Sequence, residues 1–494
     1  MLGFALEWIT NIQEIFLSIW PYLATVLHIS GATAVTMHAI LRKKETRSAI
    51  SWIGIAWLSP FIGTAAYLMF GINRIQRKGV SLGLAEKWNH DSDLEPDEED
   101  ILRIQQAQSE HPSFPGLVAL GSRLIGKPVL IGNAITPLIN GDEAYPAMLH
   151  AIDNAAVSVA LNSYIFDSDR AGEQFLTALK AAQDRGVMVR VLIDGVGARY
   201  SKPSMVKRLR DNGVTVAEFL PSRNPAAMVF ANLRNHRKIL IVDGKTGFTG
   251  GTNIREGHCL NLKPDFPVAC LHFKVEGPVV AELQEAFAID WAFTTKEVLK
   301  GPKWFPKLER HGTVFSRGIP DGPDEDLDKI VEIILGALAV AKERVTIITP
   351  YFLPSDSILD ALAVTAMRGV QVDILLPEKN NIRIMDWAVM PQLEQLIAKG
   401  CNIYFSPAPF DHTKLMLVDG VWSLIGSTNW DARSMRLNFE YNLECYDTEL
   451  ASKLGSIVDE KFKHATPVTL EQVRQRPLLL KVRDGAARLL SPYL

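Results

Sequence analysis

Two stretches of the chain repeat the same arrangement of polar residues around a short apolar run. Residues 235–254 read NHRKILIVDGKTGFTGGTNI, and residues 411–430 read DHTKLMLVDGVWSLIGSTNW. They agree at His236 and His412, Lys238 and Lys414, Asp243 and Asp419, Gly244 and Gly420, Gly250 and Gly426, and Asn253 and Asn429. Each copy therefore contains H-x-K-x-x-x-x-D, followed by an apolar run, a glycine turn and an Asn.

These residue types suit the displacement of an alcohol from a phosphodiester. Histidine can act as a nucleophile or as a general acid–base near neutral pH. Side chains alternate along a strand, so His236 and Lys238 point to one face, and His412 and Lys414 do likewise. Lysine provides a mobile positive charge for phosphate oxygens. Two copies that face each other would supply a nucleophile on one side and an acid on the other.

The alternative interpretation is a pair of unrelated strand–turn–strand hairpins, each with an isolated histidine. One hairpin of this kind would usually be no more than that. Agreement at so many positions is difficult to reach by chance and favours the catalytic interpretation. The glycine turns allow close approach of the backbone, and Asn253 and Asn429 can each donate an amide N–H.

Both stretches resemble the HKD motifs of the phospholipase D superfamily. Within it, the chain most resembles bacterial membrane-bound cardiolipin synthases, nearly from end to end. The pattern RSAISWIGIAWLSPFIGTAAYLMFGINR and the final LLSPYL share in this resemblance. It implies an α/β fold with two pseudo-twofold-related α/β/α sandwich domains of the phospholipase D type and an active site at their interface. Neither a cofactor nor a metal is implied.

The resemblance also implies roles for the motif residues. His236 is the expected nucleophile, which forms a phosphatidyl-histidine intermediate, and His412 is the expected acid–base group. The residues expected to hold the phosphate oxygens are Lys238, Lys414, Asn253, Asn429 and Ser427. Asp243 and Asp419 close the catalytic motifs before a glycine turn, where Asp commonly makes a local turn bond. We therefore interpret them as scaffold more than chemistry.

Two further positions concern the orientation of the histidines. By the resemblance, Glu440 orients His236 of the opposite half. Aligning YNLECYD with LHFKVEG puts Cys270 at the equivalent position of the first half. A thiol holds no fixed charge, so His412 must depend on another group, or the alignment of residues 255–271 is shifted. Tyr164 and Tyr351 end equivalent strands and either line the site or belong to the core; the core is the more common outcome for such residues.

Composition excludes several classes of protein. A chain of 494 residues is too long for one core, so two or three domains are expected. A net charge of -3 and a pI of about 6.4 argue against an unspecific nucleic-acid binder. The four cysteines form no C-x-x-C pair, which suggests neither a zinc site nor a disulfide framework. They are Cys259, Cys270, Cys401 and Cys445.

The N-terminal region, residues 1–78, is expected to anchor the chain in a membrane. Residues 15–41 and 50–71 lack Asp, Glu, Lys and Arg, and each is long enough to cross about 30 Å of hydrocarbon as a helix. A buried core helix is the alternative for either segment. The basic clusters at 42–47 and 74–78 flank the second segment, and the positive-inside rule places both on the cytoplasmic side. If the second segment crossed the membrane fully, the two clusters would lie on opposite sides. Either the second segment, with Pro60 at its middle, is re-entrant, or one of the basic clusters lies on the non-cytoplasmic side against this rule.

The remaining chain divides by composition. Residues 79–127 predict an acidic linker, with seven acids within residues 91–100, for which a metal site is the sharper alternative. From residue 128 strands alternate with helices and the order repeats, which predicts halves at 128–320 and 321–494. The basic tail, residues 469–494, predicts a helix that either packs on other helices or lies on a membrane surface.

Together these features predict phosphatidyl transfer at the inner membrane of a bacterial cell, with the catalytic domains on the cytoplasmic side. One phosphatidylglycerol would pass its phosphatidyl group to His236, and the hydroxyl of a second would attack to give cardiolipin. The nearest competing function is a phospholipase D that delivers the intermediate to water. An HKD nuclease and a non-catalytic scaffold are less favoured. The second substrate stays open, with phosphatidylethanolamine or another alcohol as alternatives. The expected partners are phosphatidylglycerol and membrane lipids, without nucleic acid; the oligomeric state stays open.

Overall fold

The structure is a computed structural model that describes residues 2–43, 46–71, 102, 112, 114–221, 233–323 and 328–491. These residues belong to two compact units, an N-terminal unit that ends at Gly71 and a larger unit formed by the others. The acidic run at 91–100 and the basic flank at 74–78 lie outside the described residues.

Among the described residues of the N-terminal unit, one helix is long and apolar enough to cross a membrane. Helix α1 (Leu2–Arg42) meets both criteria over Leu17–Arg42. It is followed by α2 (Thr46–Leu58), α3 (Ile62–Ala66) and a π-helical turn, Tyr67–Gly71. The predicted second membrane helix is therefore not continuous. It is interrupted at Pro60, which lacks a backbone N–H, and at Phe61, which has a φ of 60°.

After this interruption the second apolar segment turns back on itself. The ring centroids of Trp52 and Tyr67 are 5.3 Å apart, and the Tyr67 hydroxyl lies 2.7 Å from Nδ1 of His38. An unbroken helix would separate residues 52 and 67 by about 22 Å. The segment after Pro60 can pack closely against α2 because residue 63 is a glycine. A Cβ atom at Gly63 would lie 2.2 Å from the carbonyl oxygen of Ile55. The segment is thus a hairpin.

The larger unit contains two halves. In chain order, the elements of the first are α4 (Phe114–Ile125), β1 (Leu130–Ile139), α5 (Asn140–Asp153), β2 (Ser158–Ser163), α6 (Arg170–Asp184), β3 (Met188–Asp194), α7 (Met205–Asp211), β4 (Val216–Phe219), β5 (Arg234–Asn235), β6 (Ile239–Val242), β7 (Thr246–Gly250), β8 (Val268–Ala269), β9 (Leu271–Glu276) and α8 (Val280–Thr295). Strands and helices therefore alternate in this half, as the sequence predicted from residue 128.

The second half repeats this order. Its elements are β10 (Val314–Asp321), α9 (Lys329–Val340), β11 (Arg344–Ile348), β12 (Phe352–Leu353), α10 (Asp356–Met367), β13 (Gln371–Pro377), α11 (Arg383–Ala388), α12 (Met390–Ile397), β14 (Asn402–Ser406), β15 (Phe410–Asp411), β16 (Leu415–Val418), β17 (Trp422–Gly426), β18 (Trp430–Asp431), α13 (Ala432–Arg436), β19 (Asn438–Tyr446), α14 (Thr448–Lys463), β20 (Thr466–Val468), α15 (Leu470–Arg474) and α16 (Leu478–Arg488).

The two halves share one continuous sheet. The first half contributes the order β4-β3-β2-β6-β7-β9-β1, and the second contributes β10-β19-β17-β16-β11-β13-β14-β20. Read outward from the centre, the strands of the two halves correspond one to one as far as β4 and β14, and β20 is an additional edge strand of the second half. Strands β1 and β10 join them as an antiparallel pair, with Leu130 opposite Ser316. This arrangement confirms the predicted α/β fold with a pseudo-twofold axis.

Helices cover both faces of the sheet. Strands β2 and β6 are buried along their whole length, so neither face of the sheet can lie open to water there. On one face, α5, α6 and α7 pack through side chains such as Tyr145, Phe175 and Leu209 against Val159 and Val191. Helix α8 contacts β2, β4 and β6, which completes the sandwich of the first half.

The C-terminal helix packs on other helices, which was one of the two alternatives for the basic tail. Helix α16 packs against α11 and α12, and its Asp484 and Ala487 are buried. Its opposite side leaves Leu478, Leu479 and Val482 exposed. The helix therefore packs on other helices while presenting an apolar face to solvent.

Candidate active site

Each motif histidine is held by a strand of the opposite half. Asn235 of β5 pairs with Phe439 of β19, and the N–H of His236 donates to the carbonyl of Phe439 at 2.9 Å. In the other half, β15 pairs with β8, and the N–H of His412 donates to the carbonyl of Ala269 at 2.7 Å. These reciprocal pairings bring the two motifs to the interface between the halves.

The imidazole of His236 is hydrogen-bonded to a buried carboxylate. Its Nδ1 lies 2.9 and 3.0 Å from the two carboxylate oxygens of Glu440, which is fully buried. Burial lowers the pKa of His236 to about 4, with Lys238 acting in the same direction, while Glu440 opposes the change. Burial would raise the pKa of Glu440, but His236 and Lys238 hold it below its usual value. A neutral imidazole beside an ionised carboxylate is the form of histidine that can attack phosphorus.

Glu440 is itself fixed by two further hydrogen bonds. The hydroxyl of Ser427 donates to its Oε2 at 2.5 Å, and Nδ2 of Asn438 donates to its Oε1 at 3.2 Å. The motif predicts Ser427 at the phosphate oxygens, whereas the structure directs its hydroxyl proton to Glu440. The physical reason is that a buried carboxylate requires donors, and Ser427 faces it across adjacent strands.

His412 has a different partner. Its Nδ1 lies 3.0 Å from the carbonyl oxygen of Gly251, which belongs to the glycine turn of the first motif. A carbonyl accepts only, so Nδ1 carries the proton and Nε2 is left for proton transfer. Burial lowers the pKa of His412 well below 6.5, and Lys414, Lys238 and His236 lower it further.

The strand register identifies the counterpart of Glu440. Gly250 is opposite His272 in the first half, and Gly426 is opposite Asn442 in the second. Two residues earlier on each strand stand Cys270 and Glu440, so the predicted alignment of these two positions holds in the structure. Burial raises the pKa of the Cys270 thiol, which keeps it neutral. Its Sγ donates to the carbonyl of Leu271 at 3.5 Å.

Gly251 occupies a position where a side chain would not fit. A Cβ atom there would lie 2.6 Å from Sγ of Cys270 and 2.8 Å from the carbonyl oxygen of His412. The equivalent residue of the second motif is Ser427, which has room for its hydroxymethyl group. The two half-sites are therefore unequal: a carboxylate serves His236 and a backbone carbonyl serves His412.

The two motif lysines are buried close together. Nζ of Lys238 donates to the carbonyl of His236, and Nζ of Lys414 donates to that of His412, each at 2.6 Å. Burial lowers the pKa of Lys238 to about 7, and that of Lys414 to about 8. Glu440 opposes the shift at both lysines, whereas Lys414 adds to the shift at Lys238. Such a cluster of positive charge suits a phosphodiester anion.

Aromatic rings flank both histidines. The ring of Tyr164 lies 4.9 Å from that of His236, and Nζ of Lys238 lies 5.5 Å from the Tyr164 centroid. In the second half the rings of Tyr351 and His412 are 6.2 Å apart. Both tyrosines therefore lie at the site, which was one of the two expectations for them.

The motif asparagines make contacts within the protein. Oδ1 of Asn253 accepts from the N–H of Ile165 at 3.3 Å, and Nδ2 of Asn429 donates to the hydroxyl of Ser434 at 3.0 Å. Oδ1 of Asn429 is buried without a hydrogen-bond partner. The two residues stand beside the glycine turns, where the motif places them, and their expected role at phosphate stays a prediction.

His258 is a further buried histidine at the site. Its ring lies 6.4 Å from that of His412. Its Nδ1 donates to the carbonyl of Val268 at 3.1 Å, and its Nε2 accepts from the N–H of Asn253 at 3.4 Å. Burial lowers its pKa to about 3, so the ring is neutral. It connects the first glycine turn to β8, the strand whose Ala269 carbonyl accepts from the N–H of His412. No motif marks this residue, because its partners are backbone groups.

Arg237 was missed as well. It stands between His236 and Lys238, points to the other face of the strand and is buried. Its guanidinium pairs with Asp290 of α8 at 2.9 Å, and its Nε donates to the carbonyl of Glu440 at 3.0 Å. The sequence carries no signal for it, because residues 235–238 are all polar or charged and the apolar run begins only at Ile239.

Asp243 and Asp419 lie at the other ends of β6 and β16, away from the histidines. The carboxylate of Asp243 accepts from the N–H groups of Ala156, Val157 and Ser158 at 2.7–3.2 Å. That of Asp419 accepts from three successive N–H groups at 2.8–2.9 Å, which belong to residues 342–344. The predicted local turn bond is therefore replaced by long-range bonds, because each carboxylate faces the start of a neighbouring strand.

We expect Asp243→Ala to lower the free energy of unfolding by about 2 kcal/mol, since three N–H groups lose their acceptor. Asp243→Asn keeps an acceptor oxygen and tolerates the φ of 54°, and is expected to cost about 1 kcal/mol. Thermal unfolding in detergent, measured beside turnover at a temperature where all variants are folded, tests this. Lost turnover with unchanged stability would instead assign Asp243 to the chemistry.

Within the described ranges, no group of three or more His, Cys, Asp or Glu side chains is arranged to hold a metal ion.

Comparisons with known proteins agree with this geometry. Residues 148–291 and 334–462 match the family model described as "Cardiolipin synthase, PLD-like domain". A cardiolipin synthase of Geobacillus thermodenitrificans (strain NG80-2) is 32% identical over 462 residues, which cover 92% of this chain and 90% of that protein. Cardiolipin synthase A of Pseudomonas fluorescens (strain SBW25) is 32% identical over 477 residues, which cover 96% and 98%.

A solved structure is similar in fold. The phosphatidylserine synthase of Haemophilus influenzae Rd KW20 superposes with a TM-score of 0.60 at 16% identity, over 77% of this chain and 100% of that one. The two joined halves and their paired motifs thus define a protein of the phospholipase D-like class. Within this class the chain belongs to the cardiolipin synthase family.

Proposed function

We propose that this protein is a phosphatidyltransferase that makes cardiolipin and glycerol from two molecules of phosphatidylglycerol. The observation that carries the proposal is the meeting of two His–Lys motifs at one interface in a chain of the cardiolipin synthase family. Two lysines with lowered pKa values provide charge for a phosphodiester, and two histidines in unequal environments provide two different roles.

His236 is the proposed nucleophile. Glu440 holds its Nδ1, which leaves Nε2 to attack the phosphorus, and the carboxylate stabilises the positive charge that develops on the ring. His412 is the proposed acid because its Nδ1–H is held by a neutral carbonyl, which stabilises an imidazolium less well. A bound phosphodiester anion would raise the pKa of His412, so that the proton is present when substrate is bound.

The proposed reaction has two displacements at phosphorus. In the first, a P–N bond to His236 forms, the P–O bond to glycerol breaks, and Nε2 of His412 gives its proton to the departing glycerol oxygen. In the second, His412 takes the proton from the hydroxyl of another phosphatidylglycerol, whose oxygen bonds to phosphorus while the P–N bond breaks. Lys238 and Lys414, with Asn253 and Asn429, are proposed to hold the phosphate oxygens throughout.

The test is to supply the purified full-length protein with labelled phosphatidylglycerol in vesicles. Cardiolipin and glycerol in equal amounts are expected. Phosphatidic acid as the only lipid product would replace the transferase with a phospholipase D that delivers the same intermediate to water. Absence of any turnover would overturn both.

The lowered lysine pKa values predict that anion binding weakens as pH rises. Lys238 loses its charge near pH 7 and Lys414 near pH 8, well below the usual range for lysine, so fewer positive charges remain at pH 9 than at pH 6. The inhibition constant of sulfate, which does not titrate in this range, is expected to rise at least about tenfold between those values. Constant inhibition up to pH 9 would show that both lysines keep their charge.

The protein is proposed to reside in the bacterial inner membrane, with α1 crossing it and the hairpin of α2 and α3 entering and leaving on one side. The fold of this hairpin supports the proposal, because Tyr67 returns to the level of His38 and Trp52. A re-entrant segment would leave the basic clusters at 42–47 and 74–78 on the same side, as the charge rule requires. That side is proposed to be the cytoplasm, together with the catalytic unit.

Single cysteines test this topology. Lys43→Cys and Arg74→Cys are both expected to react with a membrane-impermeant maleimide from the cytoplasmic side, and Ser18→Cys from the other side. The native cysteines are buried and should not interfere. Reaction of Lys43→Cys and Arg74→Cys from opposite sides would instead require two full spans.

A further inference from the structure

Three loops near the candidate active site expose apolar side chains. These rim loops are residues 197–203, 260–267 and 379–383. They carry Tyr200, Phe266 and Ile382, which are 59%, 84% and 45% exposed. Exposed apolar side chains that are grouped around one site mark contact with another molecule rather than with water alone.

The first and third rim loops reach the site through the two tyrosines. The ring of Tyr200 lies 6.4 Å from that of Tyr164, which in turn lies against His236. Burial raises the pKa of the Tyr351 phenol, and the nearby Tyr200 adds a small contribution in the same direction. The hydroxyl of Tyr351 donates to Oδ1 of Asn381 at 2.9 Å, and the next residue is Ile382. These loops therefore stand at the mouth between the two halves.

The second rim loop leads directly to the acid histidine. It ends at β8, where the carbonyl of Val268 accepts from His258 and that of Ala269 accepts from the N–H of His412. Phe266 precedes this strand by two residues and projects into solvent. All three loops are thus connected to the groups that surround the two histidines.

The charge of the rim loops indicates the partner. Their only acid is Asp265, whereas their basic residues are Arg199, Lys202, Lys263, Lys379 and Arg383, all of them exposed. Basic side chains interspersed with aromatic and aliphatic ones match a surface of anionic headgroups over hydrocarbon.

We propose that the rim loops dock the catalytic unit on an anionic phospholipid bilayer, with Phe266 and Ile382 inserted among the headgroups around the active-site mouth. The inference rests on the proposed function, since a phosphodiester of a membrane lipid can then reach His236 while its acyl chains stay in the bilayer. The docking surface belongs to the catalytic unit itself and is additional to the N-terminal helix.

The depth of the rim loops can be measured without turnover. Phe266→Cys and Ile382→Cys would be labelled with a nitroxide in the full-length protein, in nanodiscs of phosphatidylglycerol and phosphatidylcholine. Met367→Cys is the matched control, because Met367 is 65% exposed at the end of α10 remote from the site. Relaxation by oxygen is expected to exceed relaxation by a nickel chelate at 266 and 382, with the reverse at 367. Equal access of the chelate to all three would overturn the docking surface.

A kinetic measurement supplies an independent readout. In the double variant Phe266→Ser, Ile382→Ser, the ratio of turnover on vesicles to turnover on dispersed short-chain phosphatidylglycerol is expected to fall about tenfold. Met367→Ser should leave this ratio unchanged. An active protein whose rim labels stay in water refutes only the docking surface. An inactive protein whose labels enter the bilayer refutes only the transferase.

Discussion

Replacing His236 with Asn in the full-length protein is expected to lower phosphatidyl transfer by at least about 10³-fold. Asn lacks the ring nitrogen that would bond to phosphorus, and Glu440 would be left without the imidazole that it contacts. His412→Asn should reduce transfer to a similar extent for another reason, because the departing glycerol oxygen loses its proton donor. His311→Asn, at an exposed position, is the control that should retain full turnover.

The two histidine variants are separated by a substrate that needs no acid. A phosphatidyl ester of 4-nitrophenol releases a stable anion, so His412→Asn should give one burst of nitrophenolate per site and remain phosphatidylated. His236→Asn should give no burst. Mass spectrometry of the trapped protein is expected to find the adduct on residue 236. An adduct on His412 in the His236→Asn variant would reverse the proposed roles.

Glu440→Gln is expected to reduce turnover by between about 10² and 10⁴, in line with the loss of a carboxylate that orients a catalytic histidine. The amide can still accept a hydrogen bond from Nδ1, but it cannot stabilise a cationic ring. Glu440 also raises the pKa values of both motif lysines. Without its charge those pKa values fall, so the weakening of sulfate binding should begin at a lower pH than in the native protein.

Cys270→Ser, at the equivalent position of the first half, is the matched comparison. The thiol is neutral and bonds to the carbonyl of Leu271, not to His412, so turnover should stay within about threefold of the native value. If Cys270→Ser lowered turnover as much as Glu440→Gln, the two half-sites would be equivalent. The carbonyl of Gly251 would then not be the group that orients His412.

Much of the fold could be predicted because its signals are local. Strands β2, β3 and β4 and helix α6 each appear as a short apolar or amphipathic run, and the same order recurs after residue 344. Because the order of strands and helices is duplicated, a strand or helix predicted in one half supported the prediction of its counterpart in the other. The α/β class and the family were confirmed on this basis.

The pairings between distant segments could not be predicted in the same way. Strands β1 and β10 join the halves, and their partners are chosen by the sheet as a whole rather than by their own residues. The hairpin in the N-terminal unit is similar, since Pro60 permitted a break but the return depends on Gly63 meeting the backbone of Ile55.

The sequence by itself determined which residues could perform the chemistry, because His236, Lys238, His412 and Lys414 recur at identical spacing. It also showed that one half lacks a carboxylate where the other has Glu440. Only the tertiary structure decided what His412 bonds to instead, which is the carbonyl of Gly251. Every residue carries a backbone carbonyl, so the residue types do not indicate which carbonyl will face a histidine 161 positions away.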